Sequence, residues 1–146
     1  MSRKISKYRS EVIEKFINIE SLMNAIISQH YFKKVIAPFV FELLYDVNCT
    51  FALKRNILQK IEPNFSKLET INRLNNIRNL FAHCNQEVFE GSKKPAPGET
   101  GKVLDPKDTK KELDFEKLYK EFTKEEGSVT QALGNLYMSL GGQMEK

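Results

Sequence analysis

Arg78, Asn79 and His83 fall within one short stretch, "NNIRNLFAHC", Asn75 to Cys84. A guanidinium keeps its proton and offers several N–H donors, so it binds carboxylate or phosphate. An imidazole takes up and returns protons near neutral pH. Amide side chains orient such groups by hydrogen bonding. At about 100° per residue, a helix through this stretch puts Ile71, Leu74, Ile77 and Phe81 in one broad apolar sector. Arg78 lies inside that sector, whereas Asn72, Asn76, Asn79 and His83 form a separate narrow stripe at spacings of four, three and four.

Both features depart from an ordinary bundle helix. Solvated stripes are normally written with Lys and Glu, and each Asn is less favourable by roughly half a kcal/mol. A line of hydrogen-bonding groups points to a surface that meets something. An arginine on a packing face requires a carboxylate, a phosphate or a second chain's polar groups. The plainer alternative is a structural Arg78 paired with a core-edge Glu, beside asparagines that bond neighbouring helices. In a regular helix Arg78 and His83 are about 140° apart in rotation and about 7.5 Å apart along the axis. For them to act together, the last turn must unwind, the arginine must reach round, or another chain must complete the site.

The elements that position these residues are helical. Tyr8, Val12, Phe16, Ile19, Met23 and Ile26 recur at steps of three and four, predicting a long amphipathic helix over 5–28. "FKKVIAPFVFELLYD" is apolar nearly all round and predicts a buried helix kinked or started at Pro38. "NCTFALKRNILQKI" predicts a third helix, capped by Asn48 or Thr50 and ended near Pro63. Ser66 and Glu69 form a capping-box pattern, so the helix with the unusual stretch runs from about Lys67 to His83. Residues 91–111 hold three prolines and three glycines and are expected to be a mobile loop or linker. A C-terminal helical segment fills 112–146, with one helix from Asp114 and another opened by a Ser128/Gln131 capping box and stopped at Gly141. The expectation is an all-α bundle of five or six helices in a single domain over 1–146.

Composition agrees with a soluble domain that has a core. Of 146 residues, 40% are hydrophobic and 29% charged, with ten Phe and no Trp. The net charge of +4 comes from 23 basic residues dispersed among 19 acids, so no polybasic arm is present. Cys49 and Cys84 lack metal-ligand spacing, and no export or membrane-spanning segment is visible; a reduced, cytoplasmic setting without metal or other cofactor is expected. His30 and Cys84 are expected to be structural. No helix-turn-helix with a basic recognition helix stands out, which disfavours DNA-binding regulation.

The run "RNLFAH" resembles the signature of the HEPN superfamily: an Arg, a polar residue that is often Asn, and a His after a short spacer. "IRNLFAH" is especially similar to mannitol-repressor-type and related branches. The resemblance covers about residues 10–90. It implies a HEPN-like helical bundle acting as a homodimer and as a metal-independent endoribonuclease, such as the toxin of a toxin–antitoxin or defence system with a cognate protein partner. In such proteins the Arg and His of two chains form one composite cleft, where a ribose 2′-hydroxyl attacks the adjacent phosphate of RNA. Carried onto this chain, Arg78, His83 and Asn79 become the catalytic candidates. Asn76, Asn72, Lys54 and Arg55 become substrate-binding candidates. The competing expectation is a non-catalytic HEPN-like dimer that binds RNA, nucleotide or a regulatory protein.

Overall fold

The long amphipathic pattern at the start of the chain forms a single helix, α1 (Arg3–Phe32), in a computed structural model that describes residues 3–83, 102–105 and 108–143. A six-residue π-helix (Phe39–Leu44) follows, then α2 (Phe51–Ile61), α3 (Leu68–His83) and α4 (Phe115–Ser139). The architecture is an all-α bundle type with five helical segments among the described residues. Two short strands, β1 (Lys102–Asp105) and β2 (Asp108–Asp114), precede α4.

The described residues group into two compact units. The first comprises Met1–Phe16 and Asn72–Glu126, and the second Ile17–Ile71 and Gly127–Lys146. Apolar residues at helical spacing supply each core. In the first unit Ile5, Val12 and Phe16 of α1, Leu74, Ile77 and Phe81 of α3, and Phe115, Leu118 and Phe122 of α4 are buried. In the second, Ile19, Met23, Ile26 and Ile27 are buried, with Val40, Leu44, Leu58, Ile71, Val129, Leu133 and Tyr137.

Local chemistry sets the helix ends. Thr50 caps α2, its hydroxyl accepting from the Leu53 N–H at 3.2 Å, so Thr50 rather than Asn48 is the cap. α4 stops in a Schellman arrangement: Gly142 N–H reaches the Tyr137 carbonyl and Gly141 N–H the Met138 carbonyl, both at 3.0 Å. Gly141 has a φ of +90°, a conformation glycine adopts without Cβ strain.

Three expectations change. The segment expected to be a buried helix around Pro38 is the short π-helix, with Pro38 at its N-cap. Six residues make little more than one turn, so only Val40 and Leu44, four apart, are buried. Phe41, Leu43, Tyr45 and Val47 are exposed.

The expected loop over 91–111 holds β1 and the first part of β2, which runs on to Asp114, where a helix was expected to start. The strands pair antiparallel with Lys102 opposite Asp114 and Val103 opposite Leu113, and the register shifts between Leu104 and Asp105. Residues 91–101 and 106–107 lie outside the described residues. The intervening "DPKD" is a turn sequence, and the charged residues that flank it are weak strand formers, so local sequence alone does not mark these strands.

The two expected C-terminal helices are one. Phe115, Leu118, Phe122, Val129, Leu133 and Tyr137 keep a single helical phase, and burying that stripe carries the helix through Gly127 and Ser128.

A methyl group at Gly127 would meet nothing within 4 Å. Gly127→Ala is therefore expected to stabilise the protein by roughly 0.5–1 kcal/mol through helix propensity. Chemical denaturation checks this; an unchanged or lower midpoint would mean that Gly127 does not sit in a regular helix.

Candidate functional site

α3 carries the candidate residues, and its phase is the one the apolar spacing demands. Ile71, Leu74, Ile77 and Phe81 are all fully buried. The helix stays regular through His83, so the last turn does not unwind to bring His83 towards Arg78. Asn72 and Asn79 are half-buried, while Asn76 and His83 are exposed. Asn79 and His83 are four residues apart, which sets their Cβ atoms about 5–6 Å from each other on a helix surface.

Arg78 is half-buried at the edge of the packing face. Its guanidinium carbon lies 4.7 Å from the centroid of the Phe16 ring in α1, a cation–π contact. Its Nη2 donates to the Asn75 amide oxygen. Asn75 is one turn towards the start of α3, and His83 lies beyond Arg78 in the opposite direction. Arg78 thus reaches back along the helix, not round towards His83.

Arg9 of α1 donates from Nε to the Phe81 carbonyl at 2.8 Å. The last four carbonyls of a helix lack intrahelical partners, and a cation there also complements the helix dipole. This second arginine fixes the end of α3 that carries Asn79 and His83. Nothing in the spacing of "SKYRS" singles it out, because the pairing spans 72 residues. Phe81 stacks on Phe115 of α4, centroids 4.5 Å apart, securing the same turn from within.

Lys54 does not occupy a substrate-facing position. It is 3% exposed, with its ammonium 3.4 Å from a Glu20 carboxylate oxygen and 5.5 Å from the Tyr45 ring centroid. It shares the buried face of α2 with Leu58, one turn on, which explains why a lysine there turns inward. Arg55 is half-buried and donates to the Asn56 side chain at 3.1 Å. Both belong to the second unit, whereas Arg78, His83 and the asparagine stripe belong to the first.

The first unit is held around α3 by further polar contacts. Arg73 forms a two-pronged pair with Glu121 of α4, both bonds 2.9 Å. Lys4 pairs with Glu116 at 3.0 Å. Tyr8 stacks on Tyr119, whose hydroxyl donates to Glu11. Hydrogen bonding to Glu11, reinforced by desolvation, raises the pKa of the Tyr119 phenol. The hydrogen bond from Arg73 holds the Glu121 carboxyl below its ordinary value. Cys49 is a free thiol, and Cys84 lies outside the described residues. No described helix is long and apolar enough to cross a membrane.

No protein-family model matches the chain, and no curated protein or solved structure matches it either.

The Glu121 pair sets a direction for pH dependence. A carboxyl with a lower pKa in the folded state contributes stability above its unfolded value, near ~4.3, and that contribution is lost as pH falls through the folded value. Solvent screening limits the exposed pair to about 0.5–1 kcal/mol. Glu121→Gln should lower stability by that amount at neutral pH and flatten its decline on acidification. Denaturation midpoints of both proteins across acidic pH check this.

Proposed function

We propose that the protein is a metal-independent endoribonuclease of HEPN type, working in a composite site between two copies of the chain. The observation that carries the reading is the arrangement at the end of α3. Asn79 and His83 share an outward stripe, while Arg78, on the same two turns, points back to Asn75 and Phe16. A second copy of the chain would bring an Arg78 to a His83, which is what the composite-site reading requires.

In the proposed reaction a ribose 2′-hydroxyl oxygen attacks the adjacent phosphorus of single-stranded RNA. A new O–P bond forms and the bond to the 5′-oxygen breaks, leaving a 2′,3′-cyclic phosphate and a 5′-hydroxyl. The 2′-hydroxyl loses a proton and the departing 5′-oxygen gains one; His83 moves one of these protons. Arg78 stabilises the negative charge that grows on the phosphoryl oxygens. Asn79 orients the imidazole or bonds the phosphate, and Asn76 and Asn72 extend the polar edge along the strand.

A second reading is favoured by one specific observation. The described contacts of Arg78 suit a structural role, which fits a non-catalytic HEPN-like dimer that binds RNA, nucleotide or a protein partner without turnover.

Purified protein should cleave single-stranded RNA in the presence of a chelator. Arg78→Ala and His83→Ala should each lower the rate by on the order of 100- to 1000-fold. Co-expressing the two variants should restore part of the activity, since a mixed dimer carries one intact arginine opposite one intact histidine. Undiminished cleavage by either single variant refutes the catalytic assignment. RNA binding without any cleavage by the wild type selects the second reading.

A further inference from the structure

Asn24 stands far inside α1, in the second unit, and no part of it is exposed. Neither its amide nitrogen nor its amide oxygen meets a hydrogen-bond partner among the described residues. An amide offers two N–H donors and an oxygen with two lone pairs, and native interiors rarely leave such groups unmet. The buried polar side chains next to it on α1 follow that rule. Ser28, one turn on, donates to the Lys34 carbonyl and accepts from the Ile36 N–H. Gln29 donates to the Leu140 carbonyl. Asn24 departs from it at both ends of the amide.

Helical side chains lean towards the start of their helix, so Asn24 covers the turn that holds Glu20 and Ser21. Other polar groups meet the same turn. Lys54 is only 3% exposed, and its ammonium lies 3.4 Å from a Glu20 carboxylate oxygen. The Tyr45 hydroxyl is 3.1 Å from Ser21 Oγ, and the Tyr45 ring centroid is 5.5 Å from that ammonium. An ammonium carries three N–H donors, and one carboxylate oxygen and one ring leave a donor to spare. A buried cation with an unspent donor and a buried amide with all its capacity unspent thus lie over one turn of α1. An anion placed between them would meet the Glu20 carboxylate, and a cation would meet the Lys54 ammonium. Water is neutral, both donates and accepts, and is the usual partner of buried polar groups that a chain leaves unmet.

We propose that Asn24 and Lys54 form an internal hydration site. A water there accepts from a Lys54 N–H and donates to the Asn24 amide oxygen, and the amide N–H groups donate to water oxygen in the same site. The ion pair of Lys54 with Glu20 is then solvated from within. The site stands apart from the ribonuclease reading, whose residues belong to the first unit.

Oxygen-17 relaxation dispersion of the solvent, in a solution of the full chain, counts waters held for longer than the protein takes to tumble. The wild type should hold at least one. Asn24→Leu, close in volume and apolar, should lower the count by one or more while leaving the helical circular dichroism unchanged. Lys54→Met keeps most of the side-chain length but removes the donors, and it should lower the count too. It decides the matter if Asn24→Leu fails to fold. A wild type that holds no long-lived water overturns the proposal. A folded Asn24→Leu variant with the wild-type count also overturns it, because the amide then bonds within the protein. A count that falls with Asn24→Leu but not with Lys54→Met overturns the bridge to Lys54.

Discussion

The rotational phase of α3 governs the polar chemistry of this protein. Burial of Leu74, Ile77 and Phe81 fixes which way the helix faces, and a rotation of about 100° per residue then dictates every other direction. Arg78 falls at the edge of the core and His83 falls outside it. Neither can be moved without rotating the apolar stripe out of register, at a cost of several kcal/mol for the large side chains involved. The helix therefore presents a histidine and asparagines outward while holding an arginine at the margin.

Aromatic and cationic contacts make that margin rigid. Phe16 lies beneath the Arg78 guanidinium, Phe115 stacks on Phe81, and Arg9 ties off the carbonyl of Phe81. The end of α3 is held by α1 through Arg9 and by α4 through Phe115, which suits a position where hydrogen-bonding groups must keep a set direction. In the second unit the polar groups are used differently. Ser28 donates to the Lys34 carbonyl and accepts from the Ile36 N–H, both at 2.9 Å, clipping the chain as it leaves α1. Lys33 there holds a φ of 63°, which a residue with a Cβ adopts at some strain.

The helices were legible in the sequence wherever apolar residues kept one period, as in α1 and α3, and where Thr50 and Gly141 marked the ends. The sector holding Arg78 was legible for the same reason. The direction its side chain takes was not, because that depends on Phe16, from an element more than sixty residues away. Arg9 was invisible on the same grounds. Lys54 misled because charge alone says nothing of which face of α2 turns inward. Capping patterns also overreached: Ser128 and Gln131 match a helix start, yet the apolar phase on either side is continuous and burial overrides the local signal. Around Pro38, an all-round apolar composition suggested burial where the short helix leaves most of those residues in water.

The sequence separations of the contacts carry a consequence for biosynthesis. Pairings within the first unit join residues far apart: Lys4 with Glu116, Glu11 with Tyr119, Arg9 with Phe81. Pairings between Ile17 and Ile71 in the second unit span fewer residues, 8 for Ser28 with Ile36, 24 for Ser21 with Tyr45 and 34 for Glu20 with Lys54, whereas Gln29 with Leu140 spans 111. As the chain leaves the ribosome, the region from Ile17 to Ile71 can begin to assemble early, since closing short loops requires little entropy. The N-terminal turns of α1 must wait for α3 and the start of α4. Until then their apolar stripe of Ile5, Val12 and Phe16 stays open to water and to chaperones.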